Sequence, residues 1–99
     1  MADTFTPTGT TKNITASATT SSVALPVSTQ SRSVRVYNAT DVVVFLEFGI
    51  STVEAAVATS MPFGPGAVEY VEIGPAVTHV AGITAAGSGT VYFTEGFGA

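Results

Sequence analysis

Residues 42–48, VVVFLEF, constrain this chain more than any other stretch. In an extended strand, successive side chains point to opposite faces, so Val44, Leu46 and Phe48 share one face while Val43, Phe45 and Glu47 share the other. Shifting the register by one residue exchanges the two sets and leaves both apolar. Such a strand needs two covers. The core of its own domain supplies one, and the other is expected to be a second protein surface, because large exposed apolar patches mark interaction sites. Residues 33–37 form another strand-like run. The polar break between the runs, Asn38-Ala39-Thr40-Asp41, predicts a β-hairpin over residues 33–49.

The rest of the chain reads as short strands between turn signals. Ile14, Ala16 and Ala18 alternate with Thr15, Ser17 and Thr19, and a second short strand covers residues 23–27, where Pro26 holds it at a sheet edge. Gly64-Pro65-Gly66 precedes an alternating run, residues 67–73, with Tyr70 on one face and Val71 and Ile73 on the other. Gly74-Pro75 ends that run, and strands over residues 76–84 and 90–95 flank the turn at residues 85–89. Residues 50–62 carry the one competing helical pattern. They are short and bounded by β-branched residues, which favours an irregular crossover with a short strand. The expected class is all-β: a single small β-sandwich or barrel of about seven to eight antiparallel strands, with one domain over residues 14–99. Residues 1–13 form an extended N-terminal arm in which Phe5 is the one large apolar anchor, and the glycine-rich tail, residues 96–99, is expected to be mobile apart from Phe97.

Charge narrows the functional classes. Charged residues are only 10% of the chain, against roughly 25% in an average soluble protein, while hydrophobic residues reach 45%. That balance suits a protein held among neighbours better than a free monomer. Lys12, Arg32 and Arg35 are the only Lys or Arg residues, and residues 36–99 carry six carboxylates and no Lys or Arg. Three cations on an acidic protein do not supply the clustered charge that nucleic acid or an anionic membrane requires. The N-terminus lacks a basic start and an apolar run, so no secretory leader is expected. The longest apolar run, residues 42–46, is far below the roughly 20 residues of a membrane helix. Synthesis in the cytoplasm follows as the expectation.

No constellation points to a reaction. His79 is the single histidine, on a strand face shared with Val77, Ala81 and Ile83, and neither Ser51 nor Ser88 is spaced to serve it as a nucleophile. Glu69 and Glu72 differ by three positions, so in a strand they point to opposite faces; Glu47 lies across from Glu69 only if their strands are neighbours. One histidine, no cysteine and no D-x-D-x-D loop give no metal signature, and no glycine cluster has phosphate-loop spacing, so no cofactor is expected. Asn13 and Asn38 fit the glycosylation sequon, though Asn38 is better read as a turn former. What remains is an interaction protein. Expected contacts are the outward side of the two-faced strand (Val43, Phe45, Glu47), the open edge carrying Val23 and Leu25, and Phe5 reaching a neighbour. Tyr37, Tyr70 and Tyr92 are candidates for a carbohydrate platform.

Several short runs carry a family resemblance. These are Val36-Tyr37-Asn38-Ala39-Thr40, the stretch VFLEFG at residues 44–49, Pro65-Gly66 with Glu69, HVAGIT at residues 79–84, GTVYFT at residues 89–94 and the closing Gly-x-Gly. From about residue 32 to 98 the chain resembles small virion proteins of tailed bacteriophages. The resemblance implies a non-enzymatic role in the particle: a capsid decoration or cement protein that binds the major capsid protein as a homo-oligomer, or a head or tail fibre accessory that attaches to a receptor or carbohydrate. The arm falls outside it.

Overall fold

The computed structural model describes residues 5–7, 10–25, 32–74 and 76–97. Within them lie nine strands and no helix: β1 (Thr6–Pro7), β2 (Lys12–Ala16), β3 (Ser21–Ala24), β4 (Arg32–Asn38), β5 (Val44–Gly49), β6 (Met61–Phe63), β7 (Val68–Ile73), β8 (His79–Thr84) and β9 (Gly89–Phe97). They make a β-sandwich of two antiparallel sheets. The first has the order β1-β9-β4-β7, with β2 also on β9, and the second the order β3-β8-β5-β6.

The expected hairpin over residues 33–49 does not form. β4 pairs with β7 and β9, whereas β5 pairs with β6 and β8, so the two runs lie in opposite sheets and the break between them is an arch over the core. Asn38 is the physical reason. Its side chain is fully buried, and its Nδ2 donates to the carbonyls of Val42 (3.0 Å), Phe63 (3.0 Å) and Gly64 (2.9 Å). Its Oδ1 accepts from the Thr40 amide (3.0 Å) and the Thr40 hydroxyl (2.7 Å). A hairpin turn over residues 38–41 would leave that amide in solvent. Here it satisfies the backbone of two connections at once, which a buried polar group must do to be tolerated. Most other connections also cross between sheets: β2 to β3, β3 to β4, β6 to β7, β7 to β8 and β8 to β9.

The inward sides of the strands meet in one core. Ile14 and Ala16 of β2, Val34 and Val36 of β4, Val44 and Leu46 of β5, Val80 of β8, and Val91 and Phe93 of β9 are all buried, with Phe63 and Ile73 closing the ends. The parity expected for the two-faced strand is the one observed: Val44 and Leu46 point in, Phe48 packs against the cluster, and Val43 is exposed. Tyr70 points away from the core while Val71 and Ile73 point into or against it. Residues 50–60 are irregular and lead into the short β6, as the sequence suggests. The sheets approach closely at Gly82, where a Cβ would stand 2.5 Å from Ile14 Cδ1 and 3.0 Å from Leu46 Cδ2. Gly87 turns the β8–β9 connection with φ of 82°, a conformation glycine adopts without steric cost.

Both ends of the chain differ from expectation in what they touch. The arm is extended, but in its described residues it lies along its own sheet: Thr6 and Pro7 pair with Phe97 and Gly96, and β2 begins at Lys12, before the boundary at residue 14. Gly96, read from sequence as part of a mobile tail, belongs with Phe97 to β9, and it also pairs with Ser33 of β4. Pro26, Val27 and the loop that follows, together with Gly98 and Ala99, lie outside the described residues.

Candidate functional site

The exposed large apolar side chains fall in two sets, of which one, Val43, Ile50, Val57 and Met61, lies on β6 or in the connections beside β5. Tyr37, Val68, Tyr70 and Tyr92, exposed by 36–46%, all point outward from the first sheet. Register explains why. Tyr37 is the cross-strand partner of both Tyr92 on β9 and Val68 on β7, and Arg35, two residues back on the same face, is opposite Tyr70 and Thr94. All three tyrosines of the chain therefore occupy one face, in two adjacent rows. The Tyr37 and Tyr92 rings stack at a centroid distance of 6.1 Å and an interplanar angle of 16°. The Arg35 guanidinium lies over the Tyr37 ring, 6.0 Å from its centroid, within reach of the ring quadrupole. Glu72 stands at the border of the face, opposite Ser33.

Phe5 closes one end. The arm crosses β9 at Gly96, where a Cβ would collide with the Thr6 carbonyl and the Phe5 ring, and the ring then meets Tyr70 at 5.1 Å, tilted by 52°. Phe5, expected to enter a neighbour's pocket, is thus half-buried on its own chain.

The remaining residues predicted to make contacts spread over the second sheet. Val43 is exposed, and Phe45 is half-buried opposite Ile83 and Pro62. Glu47 is held by its own chain: Ser60 Oγ donates to its Oε1 (2.9 Å) and accepts from the Ala56 amide (2.9 Å). The Ala55 amide donates to Thr20 Oγ1 (2.9 Å), and both Ala55 and the outward-facing Ala81 are buried. Residues 50–60 therefore cover part of the face that the sequence left for a second protein. β3 is an edge strand, but Val23 packs against the core and Leu25 is inside it, so the edge offers a neighbour its backbone, flanked by Ser22 and Ala24.

Groups with chemical potential stay apart. His79 Nδ1 is 2.8 Å from its neighbour Thr78 Oγ1, and no bond joins it to Ser51 or Ser88. Glu47 and Glu69 lie in different sheets. Among the described residues no three of His, Cys, Asp and Glu come together in a way that could hold a metal ion, and no helix is long and apolar enough to cross a membrane. A polar cleft of about 240 Å³ runs between Thr20, Ser22 and residues 51–54; its walls are hydroxyls and the exposed Glu54. Glu95 is 3% exposed on the inward side of β9. Its position between Phe93 and Phe97 in an alternating strand was the available signal.

No protein-family model, curated protein or solved structure matches the chain.

Proposed function

We propose that this chain is a non-enzymatic structural protein of a virion, a decoration or cement protein that binds the assembled head and stabilises it. The observation that carries the proposal is the tyrosine face of the first sheet. Tyrosine and arginine are enriched where proteins bind each other tightly, because they bring large contact area at low entropic cost. This face gathers three tyrosines, a valine and an arginine on a rigid sheet, in a chain whose surface is poor in charge. The mechanism is mass action: a protein that binds the closed shell and not its separated subunits shifts the balance toward the shell.

A carbohydrate-binding accessory role draws on the same tyrosines. It is the weaker reading, since Tyr37 already has Arg35 over its ring and Tyr92 stacked beside it, which leaves less ring face for a sugar. The test is to add recombinant protein to shells stripped of accessory proteins and to measure copies bound and shell melting temperature. Binding in regular stoichiometry with a raised melting point, lost when Tyr70 and Tyr92 are both changed to Ser, is the expected result. A protein that leaves shells unbound but is retained on a glycan array overturns the proposal in favour of the accessory role.

A further inference from the structure

We infer that the tyrosine face pairs with the same face of a second copy, so that the unit delivered to the assembly is a two-fold dimer; this rests on reading that face as a docking surface. One observation favours a second copy over another occupant, and it is charge. Among the described residues Arg35 forms no ion pair, its guanidinium resting over Tyr37, and Glu72 on the same face is exposed without a bonding partner. One unmatched cation and one unmatched anion on a single face make that face complementary to itself, as a two-fold interface demands.

Register shows how they meet. β4 and β7 are antiparallel neighbours, with Arg35 opposite Tyr70 and Tyr37 opposite Val68. A two-fold axis running along the strands between β4 and β7 sets β4 of one copy over β7 of the other. Arg35 then lies over the partner's Tyr70, within a side chain's length of the partner's Glu72, while Tyr37 covers the partner's Val68. The charge pairs form twice and the aromatic contacts form twice.

The test is analytical ultracentrifugation of the full chain over a concentration series, with Arg35→Glu, Glu72→Arg and the double reversal. The parent is expected to be a dimer at about 10 μM, each single reversal to weaken pairing at least about tenfold, and the double reversal to recover to within about threefold of the parent. Recovery in the double is the signature of self-pairing, because an unrelated partner would not change its charge in step. Thermal melting of each variant checks folding, and Val68→Arg, at an exposed position, supplies an independent block. A parent that stays monomeric at about 100 μM, or a double reversal no better than the worse single one, overturns the inference. Shell binding separates the two ideas: a monomer that binds shells defeats the dimer alone, and a dimer that ignores shells defeats the virion reading alone.

Discussion

Asn38→Ala removes a side chain that is 0% exposed and makes five hydrogen-bond contacts to three segments: the arch after β4, the end of β6 and the turn before β7. Its orientation is dictated, because the reverse placement would aim the amide oxygen at three carbonyls. Nδ2 has two hydrogens for three acceptors, so one is shared, and some partners have a second bond. Gly64 O also accepts from the Ala67 amide (3.1 Å), and Val42 O from the Thr40 hydroxyl (2.9 Å). The Thr40 amide has no such substitute. One orphaned buried donor at about 1–3 kcal/mol and two other weakened bonds at about 0.5–1 kcal/mol each give a loss of about 3 kcal/mol. Against the ~5–15 kcal/mol of a domain this size, that is a large share, and it corresponds to a fall in melting temperature of roughly 12–24 °C.

Asn38→Asp separates hydrogen bonding from packing. It keeps the volume but turns an oxygen toward the carbonyls of Val42, Phe63 and Gly64, so it is expected to be at least as damaging as the alanine. Urea denaturation followed by circular dichroism measures both, with Asn13→Ala at an exposed position as the control, expected within about 0.5 kcal/mol of the parent. If both Asn38 variants unfold within about 1 kcal/mol of the parent, the buried amide does not hold the arch and the account of why β4 and β5 part company fails.

Two further substitutions probe close approaches. Gly96→Val puts a side chain where the Thr6 carbonyl and the Phe5 ring lie, so the arm should leave the sheet; limited proteolysis is expected to cut within residues 5–11 at least several-fold faster, while the core unfolds at nearly the parent's denaturant midpoint. Gly82→Ala introduces a methyl group 2.5 Å from Ile14 Cδ1 between the sheets; denaturant titration is expected to show a loss of about 1–3 kcal/mol, and an unchanged midpoint would mean that the sheets separate freely at that level.

Strand existence and facing were legible because period-two alternation acts within a few residues. The separation of Val44 and Leu46 from Val43 and of Tyr70 from Val71 and Ile73 follows from it, whereas the irregular run 50–60 follows from a helical pattern too short to hold. Pairing was not legible. β2 finds β9 some 75 residues away, with Asn13 against Tyr92 and Ile14 against Val91, and nothing local in either strand names the other. The same limit hid the tyrosine face. Tyr37, Tyr70 and Tyr92 sit on three different strands, and only the order β9-β4-β7 makes them neighbours.

The hairpin that does not form shows why the candidate surface lies on the other sheet. A two-faced strand requires an outside partner if its nearest neighbour in sequence pairs along its edge and leaves both faces to be covered. Once Asn38 sends β4 across the core, the inward face of β5 meets the first sheet. Residues 50–60, free of any helix or long strand of their own, fold back over part of its outward face and are fastened there by Ser60 on Glu47 and by Ala55 on Thr20. The apolar excess in residues 42–48 is thus largely used within the chain. On the other sheet the outward Tyr37, Tyr70 and Tyr92 stay exposed beside Val68, as Val43 does on this one. Tyrosine carries a hydroxyl that keeps an exposed face soluble while its ring remains available for contact, so a face built from it stays compatible with water without a covering segment.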